Sequence, residues 1–149
     1  MNERDLSAHW DKLADDWLIQ VGDEGDANRR LNSDPILWEY CGDVRGLDVV
    51  DAGCGTGYLV NQMAEKGARV RGVDLSTRMI EIAKERYPGL SFAVDSASSL
   101  ATIESESADL VVSNYVLMDL ADLEGAAAAF ARVLRTGGRA VAVFSHPCF

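Results

Sequence analysis

Residues 49–59, Val-Val-Asp-Ala-Gly-Cys-Gly-Thr-Gly-Tyr-Leu, constrain this chain more than any other segment. The apolar start reads as a buried strand, the three glycines as a tight turn, and the residues after Gly57 as a helix. Glycine at alternate positions leaves bare backbone where another molecule must come close. The helix behind it aims unpaired N–H groups and the positive end of its dipole at the same spot. Asp74 ends the next apolar stretch, 21 positions after Gly53. A carboxylate at that point commonly binds the two hydroxyls of a ribose. Together these features describe a pocket for a nucleoside-containing cofactor.

The spacing argues against a dinucleotide. That fingerprint needs Gly-x-Gly-x-x-Gly, whereas here the glycines are 53, 55 and 57 and position 58 is a bulky Tyr. Asp51 precedes the turn, where a carboxylate repels a pyrophosphate but suits an ammonium group. The ligand should therefore carry a ribose and a positive charge, and S-adenosylmethionine fits. The chain resembles the class I S-adenosylmethionine-dependent methyltransferases. VVDAGCGTGYL (49–59) resembles their glycine-rich first motif, RGVDLSTRMI (71–80) the second, VDSASSL (94–100) the third and DLVVSNYVLMDL (109–120) the fourth. FARVLRTGGRAVAVFSHPCF (130–149) resembles the fifth strand and the helix before it. The resemblance covers roughly residues 45–149, and it rests on five motifs in the right order.

The resemblance implies a set of site residues. Gly53, Gly55 and Gly57 let the methionine part lie against backbone, with Cys54 a small residue packed in the turn rather than a nucleophile. Asp51 helps hold the methionine amino group. Asp74 takes the ribose hydroxyls, Leu75 and Met79 pack on the adenine, and Asp95 receives the adenine amino group beside Ser96 and Ala97. Ser113, Asn114 and Tyr115 end the fourth strand, where the methionine and the acceptor meet. The segment SNYVL is not the Asn-Pro-Pro-Tyr motif of amino-directed nucleic-acid methyltransferases. Asn114, Tyr115 and His146 are the candidates for a catalytic role, His146 as a general base toward a hydroxyl or amine; a structural role suits that histidine better. Trp10 and Trp17 either fold over the cofactor with a lid helix or pack as core, and their helical spacing favours core. Arg29 and Arg30 read as solvated charges, with reach toward the cofactor carboxylate as the alternative.

Composition bounds the rest. With 149 residues and 48% hydrophobic content the chain is one domain with a real core. No apolar run is long enough to span a membrane, and no signal-peptide pattern opens the chain. Cys41, Cys54 and Cys148 make no metal-ligand spacing, so no metal is expected. Their odd number suits a reducing cytoplasm. The net charge is −10, and residues 1–45 carry eleven acids against five Lys/Arg. No basic stripe awaits phosphates, so nucleic-acid substrates are disfavoured and a small-molecule acceptor is expected.

Along the chain, Leu6, Trp10, Leu13, Trp17 and Leu18 predict a helix over 3–20. Residues 22–26 (GDEGD) read as a loop or hinge, and a second helix over 35–44 has Asp34 as its cap and Pro35 in its first turn. These 45 residues form a helical lid or cap; 46–149 form the cofactor-binding α/β core. Strands are predicted near 47–52, 69–74, 91–94, 108–114 and 138–145, and helices near 57–66, 76–87 and 122–135. Ser76 caps a helix, Gly67 and Gly137-Gly138 end helices, and Pro88-Gly89 stops one. Apolar strands alternating with helices imply a Rossmann-like, doubly wound, mostly parallel sheet in a three-layer α/β/α sandwich. Strands one and four should lie side by side, with the ligand at their carboxyl ends.

The resemblance implies seven strands in the order 3-2-1-4-5-7-6, against five counted. The expectation is a piece of a longer protein, ahead of a short chain that pairs its fifth-strand edge in a homodimer. The function expected is methyl transfer from S-adenosylmethionine, with S-adenosylhomocysteine as product. A non-catalytic cofactor-binding module is the alternative. A nicotinamide-dependent oxidoreductase is a distant third, disfavoured by Tyr58 and Asp51.

Overall fold

The computed structural model describes residues 1–145. Helix α1 (Glu3–Val21) opens the chain, started by the Asn2 side chain accepting from the Asp5 N–H. After a turn comes a π-helical stretch, Arg29–Ser33, that runs directly into α2 (Asp34–Cys41). Strands and helices then alternate: β1 (Asp48–Ala52), α3 (Tyr58–Glu65), β2 (Arg69–Asp74), α4 (Thr77–Arg86) and β3 (Ser91–Val94). The remainder is β4 (Ala108–Asn114), a short 3-10 turn (Leu117–Asp119), α5 (Leu123–Val133) and β5 (Leu134–Val143).

The five strands form one sheet in the order β3-β2-β1-β4-β5, parallel throughout. The chain steps outward from β1 to β2 and β3, then crosses back to place β4 and β5 on the other side of β1. The middle strands are buried on both faces, so alternate residues feed opposite cores. Val49, Leu110 and Val112 pack with Leu37 and Cys41 of α2, Leu59, Val60 and Met63 of α3, and Ile80 and Ala83 of α4. Val50, Ala52, Val73 and Val111 pack on the other face with Ala129, Phe130 and Val133 of α5 and with Leu100 and Ile103. This is the Rossmann-like three-layer architecture expected.

Ser76 caps α4 as expected, accepting from the Met79 N–H at 3.1 Å. Two other local expectations are corrected. The pair Gly137-Gly138 does not end α5. That helix stops at Val133, and Leu134 enters β5 at once by pairing with Ala108. The glycines fall inside the strand, where the register shifts between Ala108 and Leu110. Gly137 takes φ +84°, so the pair accommodates a β-bulge that lets pairing resume at Arg139. Asp34 does not cap α2. Ser33 holds the cap position without a side-chain bond, and the Asp34 carboxylate turns inward to the Tyr58 hydroxyl. Pro35 does sit in the first turn.

Among the described residues β5 pairs only with β4, and Phe144 just beyond it is 54% exposed. Among them, too, no helix is long and apolar enough to cross a membrane, and no group of three or more His, Cys, Asp or Glu is placed to hold a metal.

Candidate active site

A cleft opens at the carboxyl ends of β1, β2 and β4, the switch point of the sheet. Its floor is the β1–α3 turn. Gly53, Gly55 and Gly57 all have positive φ, at +88°, +53° and +90°. They serve different ends. A Cβ on Gly55 would meet little but the Trp17 indole nitrogen at 3.4 Å, so Gly55 keeps open backbone facing the cleft. A Cβ on Gly53 would overlap Val116. A Cβ on Gly57 would lie 2.9 Å from Phe92 and 3.2 Å from Ala83, so this glycine is needed for packing; it does not line the cleft. The Gly53 and Cys54 N–H groups bond the Val73 carbonyl at 2.8 and 2.9 Å, which ties the turn to β2.

Two carboxylates guard this floor. Asp51 is 2% exposed, and its Oδ1 is buried with no hydrogen-bond partner. Burial, with Asp74 and Asp34 nearby, pushes its pKa up to about 7. A buried carboxylate oxygen without a donor is costly unless a cation or donor arrives. Asp74 stands at the far side, half-buried, where desolvation again raises its pKa. One oxygen accepts from the Gly55 N–H at 2.9 Å and the other from the Ser76 N–H at 2.9 Å. The two bonds fix the carboxylate in the cleft, and each oxygen keeps a further lone pair.

Cys54, Leu75, Met79, Ser96, Ala97, Asn114 and Tyr115 also line the cleft, as expected from the sequence. Ser113 does not: it is a residue of β4 itself, fully buried within the sheet. Asp95 is a correction. Its two oxygens accept from the Ser96, Ala101 and Thr102 N–H groups and from the Ser99 and Thr102 hydroxyls. Every lone pair is spent shaping the 95–102 loop, and the residue does not line the cleft. The acid organises the loop that presents Ser96 and Ala97. His146 lies outside the described residues.

The roof comes from the N-terminal segment. Trp10 and Trp17 both line the cleft, meeting edge to face at 5.3 Å between ring centroids, and both pack against the cluster of Ala14, Met79 and Ile82. Core packing and a wall of the cleft are thus one arrangement. Arg29 overturns its surface reading. It is only 6% exposed, and its guanidinium lies 4.9 Å from the Trp17 ring and 4.9 Å from the Tyr115 ring. Asp26 holds it at 2.7 Å. Arg30 remains on the surface, facing Glu24 at 3.5 Å. Tyr115 is a non-glycine residue at φ +59°, a backbone state that costs free energy and gathers at functional sites. Asn28 donates to its hydroxyl at 3.1 Å.

A polar stripe on α1 fastens this roof. Glu3 accepts from the Ser96 hydroxyl, and Ser7 donates to the Leu75 carbonyl at 3.0 Å. Asp11 accepts from the Ser76 hydroxyl at 2.6 Å and the Arg78 N–H at 3.0 Å, and Asp15 meets the Arg78 guanidinium at 2.8 Å. Residues 3, 7, 11 and 15 recur every fourth position, so they share one face of the helix. Their partners are the loops that follow β2 and β3 and the first turn of α4. Besides these, the cleft takes in Leu6, Thr56, Tyr58, Val116, Asp119 and Leu120, which the sequence did not single out as lining residues. The four-residue polar period was visible in the sequence, but its partners are 63 to 93 positions away.

The family model described as Methyltransferase domain matches residues 50–142. The chain belongs to the class I S-adenosylmethionine-dependent methyltransferase family. It is 36% identical over 102 residues to the malonyl-[acyl-carrier protein] O-methyltransferase of Hamiltonella defensa, a match covering 68% of this chain and 39% of that protein. It is 33% identical over 106 residues to the demethylmenaquinone methyltransferase of Tropheryma whipplei, covering 68% and 44%. A crystal structure of an S-adenosylmethionine-dependent methyltransferase from Mesorhizobium loti superposes with a TM-score of 0.72 at 30% identity, over 81% of this chain and 55% of that one. The chain therefore spans less than half the length of these two curated relatives.

Proposed function

We propose that this chain binds S-adenosylmethionine in the cleft and that the protein it belongs to transfers the methyl group to a small-molecule acceptor. The observation that carries the reading is the buried, unpartnered Asp51 Oδ1 beside open glycine backbone, with Asp74 fixed across the floor. That pairing fits a ligand with a cationic amino-acid end and a ribose. Asp51 would hold the amino group, Arg29 would face the carboxylate, and Asp74 would accept from the ribose hydroxyls. Leu75, Met79 and Ala97 would flank the adenine, with Ser96 beside it.

When bound, the cofactor supplies an activated methyl on a sulfonium, so no nucleophile from the protein is needed. The work of the protein is alignment and exclusion of water. Orientation of this kind contributes up to about 7–11 kcal/mol in favourable systems. Tyr115, Val116, Leu120 and Trp10 form the apolar wall on the acceptor side, and α1 closes above it. The acidic balance and the absence of a basic track favour a small molecule over nucleic acid; one relative is named for demethylmenaquinone and the other for a malonyl group on an acyl-carrier protein. Free Cys41 and Cys54 suit a reducing cytoplasm. Among the described residues the outer edge of β5 has no neighbouring strand, and there a strand from a second copy would add; an apparent mass above the 16.1 kDa monomer on gel filtration supports that pairing.

Titration calorimetry with S-adenosylhomocysteine tests the binding step, and release of labelled methyl from S-adenosylmethionine over an acceptor panel tests the chemistry. Heat without turnover on every acceptor favours a binding module. The absence of both binding heat and a thermal upshift sinks the proposal.

A further inference from the structure

Asp34 is a buried carboxylate that no expectation from the sequence placed at the site, and its bonds lead to the cleft. It is 6% exposed. The Tyr58 hydroxyl donates to it, 3.1 Å from Oδ2 and 3.3 Å from Oδ1. That donation uses the only proton on the Tyr58 oxygen, which must then accept. Asn114 Nδ2 supplies the donor, 3.1 Å from the Tyr58 oxygen and 3.4 Å from Asp34 Oδ1. The opposite amide orientation would set a carbonyl oxygen against a carboxylate and a spent hydroxyl. Hydrogen-bond accounting therefore settles which way the amide points. Its Oδ1 is left buried with no partner, and Asn114 lines the cleft.

Three buried oxygens without a partner thus belong to residues of the same cleft: Asp51 Oδ1 at the end of β1, Asn114 Oδ1 at the end of the adjacent β4, and the Thr56 hydroxyl, which can also donate; only the first two are pure acceptors. A group with several N–H donors and a positive charge satisfies both; a hydroxyl satisfies one.

Resting on the reading of the cleft given above, we infer that Asp34 is a positioning residue for the ammonium of the ligand's amino-acid end, acting through Tyr58 and the amide of Asn114. The Asp34 charge orients the amide so that its carbonyl faces the ammonium, and polarises it further. Asp51 supplies the direct ion pair, and Asn114 supplies the second acceptor. Asp34 itself touches no ligand atom. Its placement explains why α2 begins with an inward acid rather than a cap. The network also joins α2, α3 and β4, so the N-terminal segment takes part in reading the ligand.

The test compares two ligands by calorimetry: S-adenosylhomocysteine and its desamino analogue, which keeps the adenosine and the carboxylate. The wild-type chain should bind the first more tightly. Asp34→Asn removes the charge and lets position 34 donate, so the amide of Asn114 is no longer held with its carbonyl toward the ammonium. Binding of S-adenosylhomocysteine should then fall at least tenfold, while the desamino analogue changes less than threefold. Tyr58→Phe, nearly isosteric, should shrink the preference in the same direction. Parallel loss of both ligands in Tyr58→Phe, or an unchanged preference in Asp34→Asn, overturns the inference. Should Asp34→Asn fail to fold, the Tyr58→Phe ratio decides. Binding of neither ligand by the wild-type chain overturns the cofactor reading itself, a result distinct from both.

Discussion

Gly55 and Gly57 sit two positions apart in one turn, yet substitution should separate them. Gly57→Ala puts a methyl 2.9 Å from Phe92 on a backbone at φ +90°. Strain and overpacking there cost about 1–3 kcal/mol, to be read as a lower denaturation midpoint. Gly55→Ala has room on the fold side, because only the Trp17 nitrogen lies near, at 3.4 Å. It should lose less stability but narrow the cleft, and calorimetry should show the larger drop in S-adenosylhomocysteine affinity. Asp74→Ala should weaken that affinity at least tenfold with the circular dichroism spectrum intact. Two charge-assisted bonds at about 1.5–3 kcal/mol each are at stake; unchanged affinity would remove Asp74 from the site. The glycine turn and the two acids beside it were legible in the sequence because they follow from local spacing; that Gly57 is there for packing on Phe92 was not. Asp95 was not, since its five donors come from a loop whose path no spacing reveals.

At the scale of elements, α1 is held to the core by polar contacts along one face and apolar ones along another. Asp11 adds a cap to α4 from outside that helix, beside the helix's own Ser76. Asp11→Ala should therefore lower the thermal midpoint through loss of a cap, about 0.5–2 kcal/mol. It should also quicken S-adenosylhomocysteine release, followed by tryptophan fluorescence in a stopped-flow displacement. A lower midpoint with an unchanged release rate would make the stripe structural only. The existence of α1 was plain from its apolar period. The destination of its polar face was not, because the partners Leu75, Ser76, Arg78 and Ser96 become neighbours only when the sheet is assembled. The bulge in β5 was missed for a similar reason. Two glycines after a helix read as its end, but pairing of Leu134 with Ala108 draws the chain into the sheet before they are reached.

For the whole molecule, the acids buried at the cleft predict how stability follows pH. Asp51 has a folded pKa near 7 against an ordinary 3.8. From about pH 4 to 7 the unfolded chain has lost this proton while the folded chain keeps it, so stability falls as pH rises through that window and then levels. The full effect is on the order of 4 kcal/mol at most, at about 1.36 kcal/mol per pKa unit. Asp34 and Asp74 are raised by burial too and act in the same direction. The thermal midpoint of the ligand-free chain should decline between pH 5 and 7, and Asp51→Asn should flatten much of that decline. A profile of Asp51→Asn that parallels the wild type would show that Asp51 does not set it. The sequence by itself determined the parallel sheet, the glycine turn and the two guarding carboxylates. Those follow from local period, backbone freedom and the chemistry of short motifs. Only the tertiary structure decided that Arg29 is buried between two aromatic rings, that Asp95 serves its own loop and that Asp34 reaches Asn114 through Tyr58. Each of those depends on which distant segments the packed sheet brings within hydrogen-bond range, and neighbouring residues carry no record of that.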